Sequence, residues 1–417
     1  MVHSGKGKTR KSSIYAGNDT SLPRNANANI NFSFKVLTNP EILSQTADAT
    51  FTSKVNGKVK VIIILAYMHT GSTYLGDVLH QLPGSFYEYE PLRSLQQASR
   101  YRDAITFMNG SRKQLQRGKA VAYQLAAKAV EHMVTCNHRN LDYGTLLHAF
   151  RSISSAEYQD VAPYFRCLRS NSMMLEKRRA NHASYNQLPF TNPMSLELPA
   201  RRKPKGSRNY PMSLTDPNTI LSCLPLLESR CRNATVRLTK FIRLSMKATE
   251  MLLRAINNMV NVNIIHLVRD PRAMMDSQLR KNDMGVKRFA VFQTRTKYMC
   301  SCLRKNLHLF KKLNPMYPNK FYSLRYEDLV DRPLVTFEDL LSFLGLGFGH
   351  NMERYVKNSS INYTPARAAV WREHISIEHL RIVDKYCRDL YPVLGYVPLD
   401  TLNQVRNLTV QDHIQLP

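Results

Sequence analysis

The sequence predicts an α/β fold built on a central, mostly parallel sheet. Short strand-like runs recur at residues 61–66, 235–243 and 262–269, each too short for a buried helix and rich in β-branched side chains. Each is followed by a segment whose apolar residues fall at helical spacing. Strands alternating with helices over this length call for crossover connections, and hence parallel pairing.

In the first unit, the run 61–66 fits a strand covered on both faces. After the turn His69-Thr70-Gly71-Ser72-Thr73 the period changes, and Tyr74, Leu75, Val78 and Leu79 recur at helical spacing. The first amides of that helix lack intrahelical partners. With the Ser and Thr hydroxyls and the positive end of the helix dipole, they suit a phosphate, and Gly71 lets the backbone come close. An ordinary capped strand-to-helix connection fits the same residues. A Walker A loop does not, because neither this turn nor Gly5-Lys-Gly-Lys-Thr9 places the first glycine at the required offset.

Residues 96–168 contain helical stretches, for example 121–133, expected to cover one side of the sheet or its mouth. Residues 169–219 differ in kind, with Arg178-Arg179, Arg201-Arg-Lys-Pro-Lys205 and many prolines. They read as a long basic surface insertion able to grip a polyanion, or as a solvated loop. The strand 235–243 leads into an amphipathic helix through Met251, Leu252 and Ile256. The strand 262–269 ends on Arg269, and Asp270-Pro271 then starts a helix with proline where its missing amide costs little. Ser277 follows two turns later. A further strand, 320–325, leads to Tyr326-Glu-Asp-Leu329. Ligands of such sheets sit beyond the carboxyl ends of the strands, where both 69–73 and 269–272 fall. Two strand-end anion sites suit a nucleotide carrying phosphates at both ends of its ribose.

The 417 residues are 43% hydrophobic, enough to bury a sizeable core, and carry a net charge of +28. That charge implies polyanionic company: nucleic acid, a sulfated or carboxylated glycan, an anionic membrane or a phosphorylated cofactor. No stretch approaches the roughly 18 to 20 apolar residues of a membrane span, and residues 1–30 lack a signal-peptide core. Seven cysteines are too sparse for a disulfide scaffold, and Cys300-Ser-Cys302 lacks zinc-ligand spacing. Sequons at Asn18, Asn31, Asn109, Asn233, Asn358, Asn362 and Asn407 would be usable in a lumen. Composition leaves the compartment open.

Several blocks in one order carry a resemblance. His69-Thr-Gly-Ser-Thr-Tyr-Leu-Gly76 after a strand, Phe86-Tyr-Glu-Tyr-Glu-Pro-Leu92, His266-Leu-Val-Arg-Asp-Pro-Arg-Ala273 with Ser277, Arg325-Tyr-Glu-Asp-Leu329, and Ala369-Val-Trp-Arg372 with Cys387 and Leu394-Gly-Tyr396 resemble the Golgi carbohydrate sulfotransferases. The likeness is to the branch acting on the 6-hydroxyl of galactose, N-acetylglucosamine or N-acetylgalactosamine, and it covers most of residues 58–396. It implies a P-loop-like, three-layer α/β fold that binds 3′-phosphoadenosine 5′-phosphosulfate. It also implies a glycan or glycosaminoglycan acceptor, no metal, and a Golgi membrane anchor that this chain does not display. By resemblance, the turn His69, Thr70, Gly71, Ser72, Thr73 and Tyr74 holds the 5′-phosphosulfate, Arg269 and Ser277 hold the 3′-phosphate, and Tyr326 lies near the nucleotide. Lys240-Phe-Ile-Arg243 resembles a family Lys-x-x-Arg segment.

Sulfuryl transfer to a sugar hydroxyl needs charge neutralisation at the donor and removal of the acceptor's proton. Glu90 is the candidate base. Pro91 biases it toward an extended backbone, which would point Glu88 and Glu90 to the same side and raise the pKa of one of them. Where the resembling loops read Arg-Ser-Gly-Ser-Ser, this chain has His69-Thr-Gly-Ser-Thr, so His69 must gain a proton to replace the lost cation. The alternative is a catalytically impaired relative that binds the nucleotide or an anionic glycan. Nucleic acid is not an expected partner, since charge alone points to it and no zinc-finger or RNA-recognition signature is present. The expected organisation is a polar arm at 1–56, a sulfotransferase domain at 57–398 with its insertion at 169–219, and a tail at 399–417.

Overall fold

The computed structural model describes residues 54–55, 58–101, 103–115, 119–147, 158–181, 216–256 and 260–414. The expected arm up to residue 53 and residues 182–215 of the basic insertion lie outside them. Among the described residues eight strands form in chain order: β1 (Lys54–Val55), β2 (Lys58–Leu65), β3 (Ser85–Tyr89), β4 (Ala104–Thr106), β5 (Arg112–Gln114), β6 (Val236–Phe241), β7 (Asn261–Val268) and β8 (Phe321–Arg325). The main sheet runs β3-β6-β2-β7-β8, with β1 turning back on β2 and β4-β5 forming a separate ladder. All pairings along the five-strand path are parallel, and Leu65 lies level with Phe241 on one side and His266 on the other. The predicted α/β class and parallel sheet are therefore correct.

The β-branched run of β2 is explained by its place at the centre. Val61, Ile63 and Leu65 enter one core while Ile62, Ile64 and Ala66 enter another, so side-chain alternation feeds two apolar layers rather than one core and solvent. Helices Lys119–Val134, Pro217–Asn233, Met246–Ile256 and Phe289–Met316 fill the first layer. Helix α1 (Ser72–Leu79) and the helix Pro333–Leu344 fill the second. Because β6 and β7 lie on opposite sides of β2, the chain changes direction across the sheet there. In sheets of this kind such a switch, here at the carboxyl end of β2, is where ligands bind.

Two expectations are corrected here. Six of the seven cysteines pair, as Cys136–Cys231, Cys167–Cys223 and Cys300–Cys387, with Cα separations of 5.6, 5.8 and 5.2 Å. The chain is thus disulfide-stapled, although its cysteines are widely spaced, because the staples join helices, and in one case the turn after a helix, that meet only in the folded layer. The expected tail at 399–417 is, up to residue 414, packed structure. Leu399 and Val405 are buried, and Arg372 donates to the carbonyls of Gln404, Val405, Asn407 and Val410. Arg325 and Arg272 reach Ile414 O and Asp412 O. Backbone carbonyls, unlike side chains, leave no signal in the sequence.

The two ends of the expected insertion at 169–219 are helical. The helix Tyr158–Asn181 runs into it and the helix Pro217–Asn233 starts inside it. Cys167–Cys223 joins these two helices at its base. Among the described residues no helix is long and apolar enough to cross a membrane.

Candidate active site

Each of the five parallel strands delivers a polar residue at its carboxyl end: His69 after β2, Glu90 after β3, Lys240 and Arg243 at the end of β6, Arg269 after β7 and Tyr326 after β8. Sheet order alone therefore sets Glu90, Lys240, the 69–73 turn, Arg269 and Tyr326 side by side across one edge.

The turn holds two left-handed residues, His69 at φ 67° and Gly71 at φ 76°. Gly71 precedes α1, whose first helical bond runs from Leu75 N to Gly71 O at 3.4 Å. The amides of Ser72, Thr73 and Tyr74 thus face outward at the positive end of the helix. A Cβ on Gly71 would lie 2.1 Å from Tyr326 Cδ2, so the bare glycine admits the Tyr326 ring against the backbone of the turn. Ser72 is buried and Thr73 half-buried.

Two side chains of the predicted loop point elsewhere. The Thr70 hydroxyl is fully buried and donates to Tyr67 O at 2.8 Å, while its amide bonds the same carbonyl at 3.4 Å. It braces the turn instead of facing an anion. Tyr74 is 1% exposed, stacked on Tyr363 at 4.1 Å and edge-on to Phe337. Its ring is core, and only its amide belongs to the turn.

Glu90 departs most from expectation. Instead of the extended backbone that Pro91 favours, it has φ 47°. Its N–H still donates to Lys240 O at 2.9 Å, continuing the β6 ladder, while its carboxylate meets Lys240 Nζ at 3.0 Å and Arg243 Nη1 at 2.5 Å. Glu88 instead faces the buried His138, Oε1 to Nε2 at 3.3 Å. The two carboxylates are therefore not a pair, and Glu90 does not show the expected rise in pKa. Burial pushes the Glu90 carboxyl up, but the Lys240 and Arg243 cations together outweigh it and hold it below its ordinary value.

Lys240 is the residue that sequence reasoning undervalued. It is 1% exposed, donates to Thr73 Oγ1 at 3.3 Å, pairs with Glu90 and lies 3.7 Å above the Tyr89 ring. One ammonium thus links the anion-facing turn to the carboxylate. Its position at a strand end was the available signal. Asp77 of α1 was also missed: one of its carboxylate oxygens is buried without a hydrogen-bond partner, and burial pushes its pKa up to about 6 against the pull of Lys240.

On the other side of the turn, Arg269 donates to His69 O at 3.0 Å and Ala368 O at 3.3 Å, and its guanidinium lies 4.5 Å from the Tyr326 ring centre. Its Nε is buried without a partner, a donor that an anion would satisfy. Asp270 caps the following helix by accepting from Arg272 N at 2.8 Å, with Pro271 in its first turn.

His69 and Ser277, expected at opposite phosphates, are in contact, Nδ1 to Oγ at 2.9 Å, and His69 Nε2 bonds Asp283 Oδ2. A neutral ring satisfies both: Nε2–H donates to the carboxylate and Nδ1 accepts from the hydroxyl. Burial lowers the His69 pKa. Asp283 opposes that shift, and the Lys281 and Arg269 cations add to it. Asp283 lies in a short turn after the helix and carried no sequence signal.

Residues 62–350 match the model of the sulfotransferase family. Among similar curated proteins, carbohydrate sulfotransferase 2 of Homo sapiens is 22% identical over 413 residues, spanning 86% of this chain and 69% of that protein. Carbohydrate sulfotransferase 7 of Rattus norvegicus is 26% identical over 398 residues, spanning 80% of this chain and 73% of that protein. Among solved structures, the sulfotransferase domain of the Synechococcus PCC 7002 olefin synthase overlaps 80% of this chain and 97% of its own at 15% identity, with a TM-score of 0.36.

Proposed function

Because the chain belongs to the sulfotransferase family, we propose that it moves a sulfuryl group from 3′-phosphoadenosine 5′-phosphosulfate to a sugar hydroxyl of a glycan. We assign the 6-hydroxyl of N-acetylglucosamine, galactose or N-acetylgalactosamine as the acceptor position, as the sequence motifs imply. The observation that carries the reading is Lys240, whose ammonium spans Thr73 Oγ1 and the Glu90 carboxylate. A cation between an anion-binding turn and a base is what an in-line transfer from a phosphosulfate needs.

In this reading the amides of residues 72–74 and Lys240 hold the 5′ end of the donor. Arg269, through its unpartnered Nε, and Ser277 hold the 3′-phosphate, with Tyr326 beside the nucleotide. Bound there, the donor supplies an electrophilic sulfur. Glu90 takes the proton of the attacking sugar hydroxyl as the new O–S bond forms, and Lys240 balances the charge on the phosphate oxygen whose bond to sulfur breaks. Three disulfides support an oxidising compartment and hence the Golgi lumen.

The test is incubation with labelled donor and a panel of glycans. Donor-dependent transfer to a 6-hydroxyl is the expected result. Donor binding without transfer to any glycan would instead support the impaired relative, a reading that His69 motivates.

A pH profile tests His69. The ring is held neutral by its surroundings, and a facing anion favours its protonated form. Turnover should therefore rise as pH falls from about 7.5 to about 6, whereas His69→Arg, which is cationic throughout, should be flat over that range. Coincident profiles for the two proteins would remove the proposed cationic role.

A further inference from the structure

The segment 395–414 has no part in the mechanism above, yet its polar anchors stand beside the residues placed at the nucleotide. Three buried arginines grip its backbone. Arg272, one helical turn after Arg269, donates to Val397 O at 2.9 Å and to Asp412 O at 3.3 Å. Arg325, which immediately precedes Tyr326, donates to Gly395 O at 3.1 Å and to Ile414 O at 2.7 Å. Arg372 takes the carbonyls of residues 404–410 and lies one turn after Ala368, whose carbonyl accepts from Arg269 Nη2. Gly395 makes the approach of Arg325 possible, because at its φ of 74° a Cβ would stand 2.6 Å from Arg325 Nη1.

A buried carboxylate closes the circuit. Glu327 Oε2 accepts from the Tyr396 hydroxyl at 2.7 Å, and Glu327 Oε1 accepts from Asp270 N at 3.2 Å. The Asp270 side chain in turn accepts from Arg272 Nε at 3.0 Å and Nη2 at 2.7 Å. The peptide joining Arg269 to Asp270 is thus held by Glu327, and Glu327 is held by the segment. His413 pins the far end, with Nδ1 on Asp412 at 2.7 Å and Nε2 on Asp331 at 2.8 Å, where the helix Tyr326–Asp331 stops. Burial lowers the His413 pKa, but the Asp331 and Asp412 carboxylates push it up to about 10, so the ring is a cation donating from both nitrogens at neutral pH. Leu399 and Val405 also pack with Ala273 and Trp371. That apolar contact would hold the segment in place by itself, but it gives no reason for the polar anchors to flank Arg269 and Tyr326. A buried network with these bonds made fixes one arrangement of the groups it joins.

We propose that residues 395–414 form a positioning strap for the site of the nucleotide's 3′-phosphate, acting through Tyr396 and Glu327 on the backbone of Arg269. The inference rests on the sulfotransferase reading, because that reading places the 3′-phosphate at Arg269. Tyr396, Glu327 and His413 are positioning residues, which act on the ligand only through Arg269 and its turn.

The experiment is calorimetric titration of wild type, Tyr396→Phe and His413→Gln with 3′-phosphoadenosine 5′-phosphate and with adenosine 5′-phosphate, each well below the melting temperature of the protein used. The two nucleotides differ by the 3′-phosphate alone, so the ratio of their Kd values reports that site. Tyr396→Phe removes one hydroxyl and should raise Kd for the 3′-phosphorylated nucleotide by about three- to tenfold, with Kd for adenosine 5′-phosphate unchanged. His413→Gln loosens the opposite anchor and should move the ratio the same way by a smaller factor. A merely stabilising segment would lower the melting temperature in these variants and leave the ratio at its wild-type value. An unchanged ratio in Tyr396→Phe therefore overturns the inference, as does an equal weakening of both nucleotides. A wild type that binds the two nucleotides equally removes the 3′-phosphate site, and with it the functional reading beneath the strap. That failure shows before any substitution is made, so the two are told apart.

Discussion

Glu90→Gln is expected to lower transfer by roughly 10²- to 10⁴-fold, the range for loss of a general base, while leaving donor affinity nearly intact. The carboxylate contacts two cations and is 7% exposed. Its lowered pKa means that it is ionised throughout the neutral range and ready to accept a proton. The same geometry fixes the pH dependence. Burial alone would have raised the pKa, but Lys240 and Arg243 outweigh it. The folded value therefore lies below the unfolded one, and the stabilisation from these ion pairs is full above the unfolded value. It is lost as pH falls through the folded one. Activity should follow the same acid limb. The amide leaves Lys240 and Arg243 without their counter-charge, so a lower melting temperature is expected too. Donor titration of the variant separates the two effects. If Glu90→Gln binds donor and still turns over at a tenth of the wild-type rate or faster, Glu90 is not the base.

Gly71→Ala is expected to weaken donor binding at least tenfold and to lower the melting temperature. The left-handed backbone costs an L-residue about 1 to 2 kcal/mol, and the new methyl would sit 2.1 and 2.3 Å from Tyr326 Cδ2 and Cε2. The ring has little room to retreat, since Tyr326 is 5% exposed and Arg269 lies over it at 4.5 Å. Pushing it aside would also disturb the guanidinium that bonds His69 O. Calorimetric titration with 3′-phosphoadenosine 5′-phosphate measures the loss. In Gly71→Ala/Tyr326→Ala the steric part should be recovered and the backbone part should not. Wild-type donor affinity in the single variant would show that the turn does not need this close approach.

The sequence was most legible where the signal is local. Consecutive β-branched residues marked β2 and β7, and the change of period after Thr73 marked α1, because strand alternation and helical spacing are written within a few residues. The 69–73 turn, Glu90, Arg269 and Tyr326 could be singled out as candidates for the same reason: each stands where a strand ends, and Ser277 follows from Arg269 two helical turns on. The direction of side chains within those turns was not legible. Thr70 and Tyr74 are buried beside Ser72 and Thr73 in one short segment, and the φ of Glu90 runs against the ordinary preference of a residue before proline.

What the sequence determined by itself is the parallel α/β class, which follows from local spacing, and the family, which its motifs carry; the candidate site it proposed lies at the strand ends. The pairing of cysteines 56 to 95 residues apart was decided only by the tertiary structure. So was the return of residues 399–414 onto buried arginines. The same holds for the cations that turn Glu90 into an ionised carboxylate, and for the contact of His69 with Asp283 across 214 residues. These depend on which strands become neighbours, and through-space electrostatics is fixed only once the sheet order β3-β6-β2-β7-β8 brings distant chain segments together.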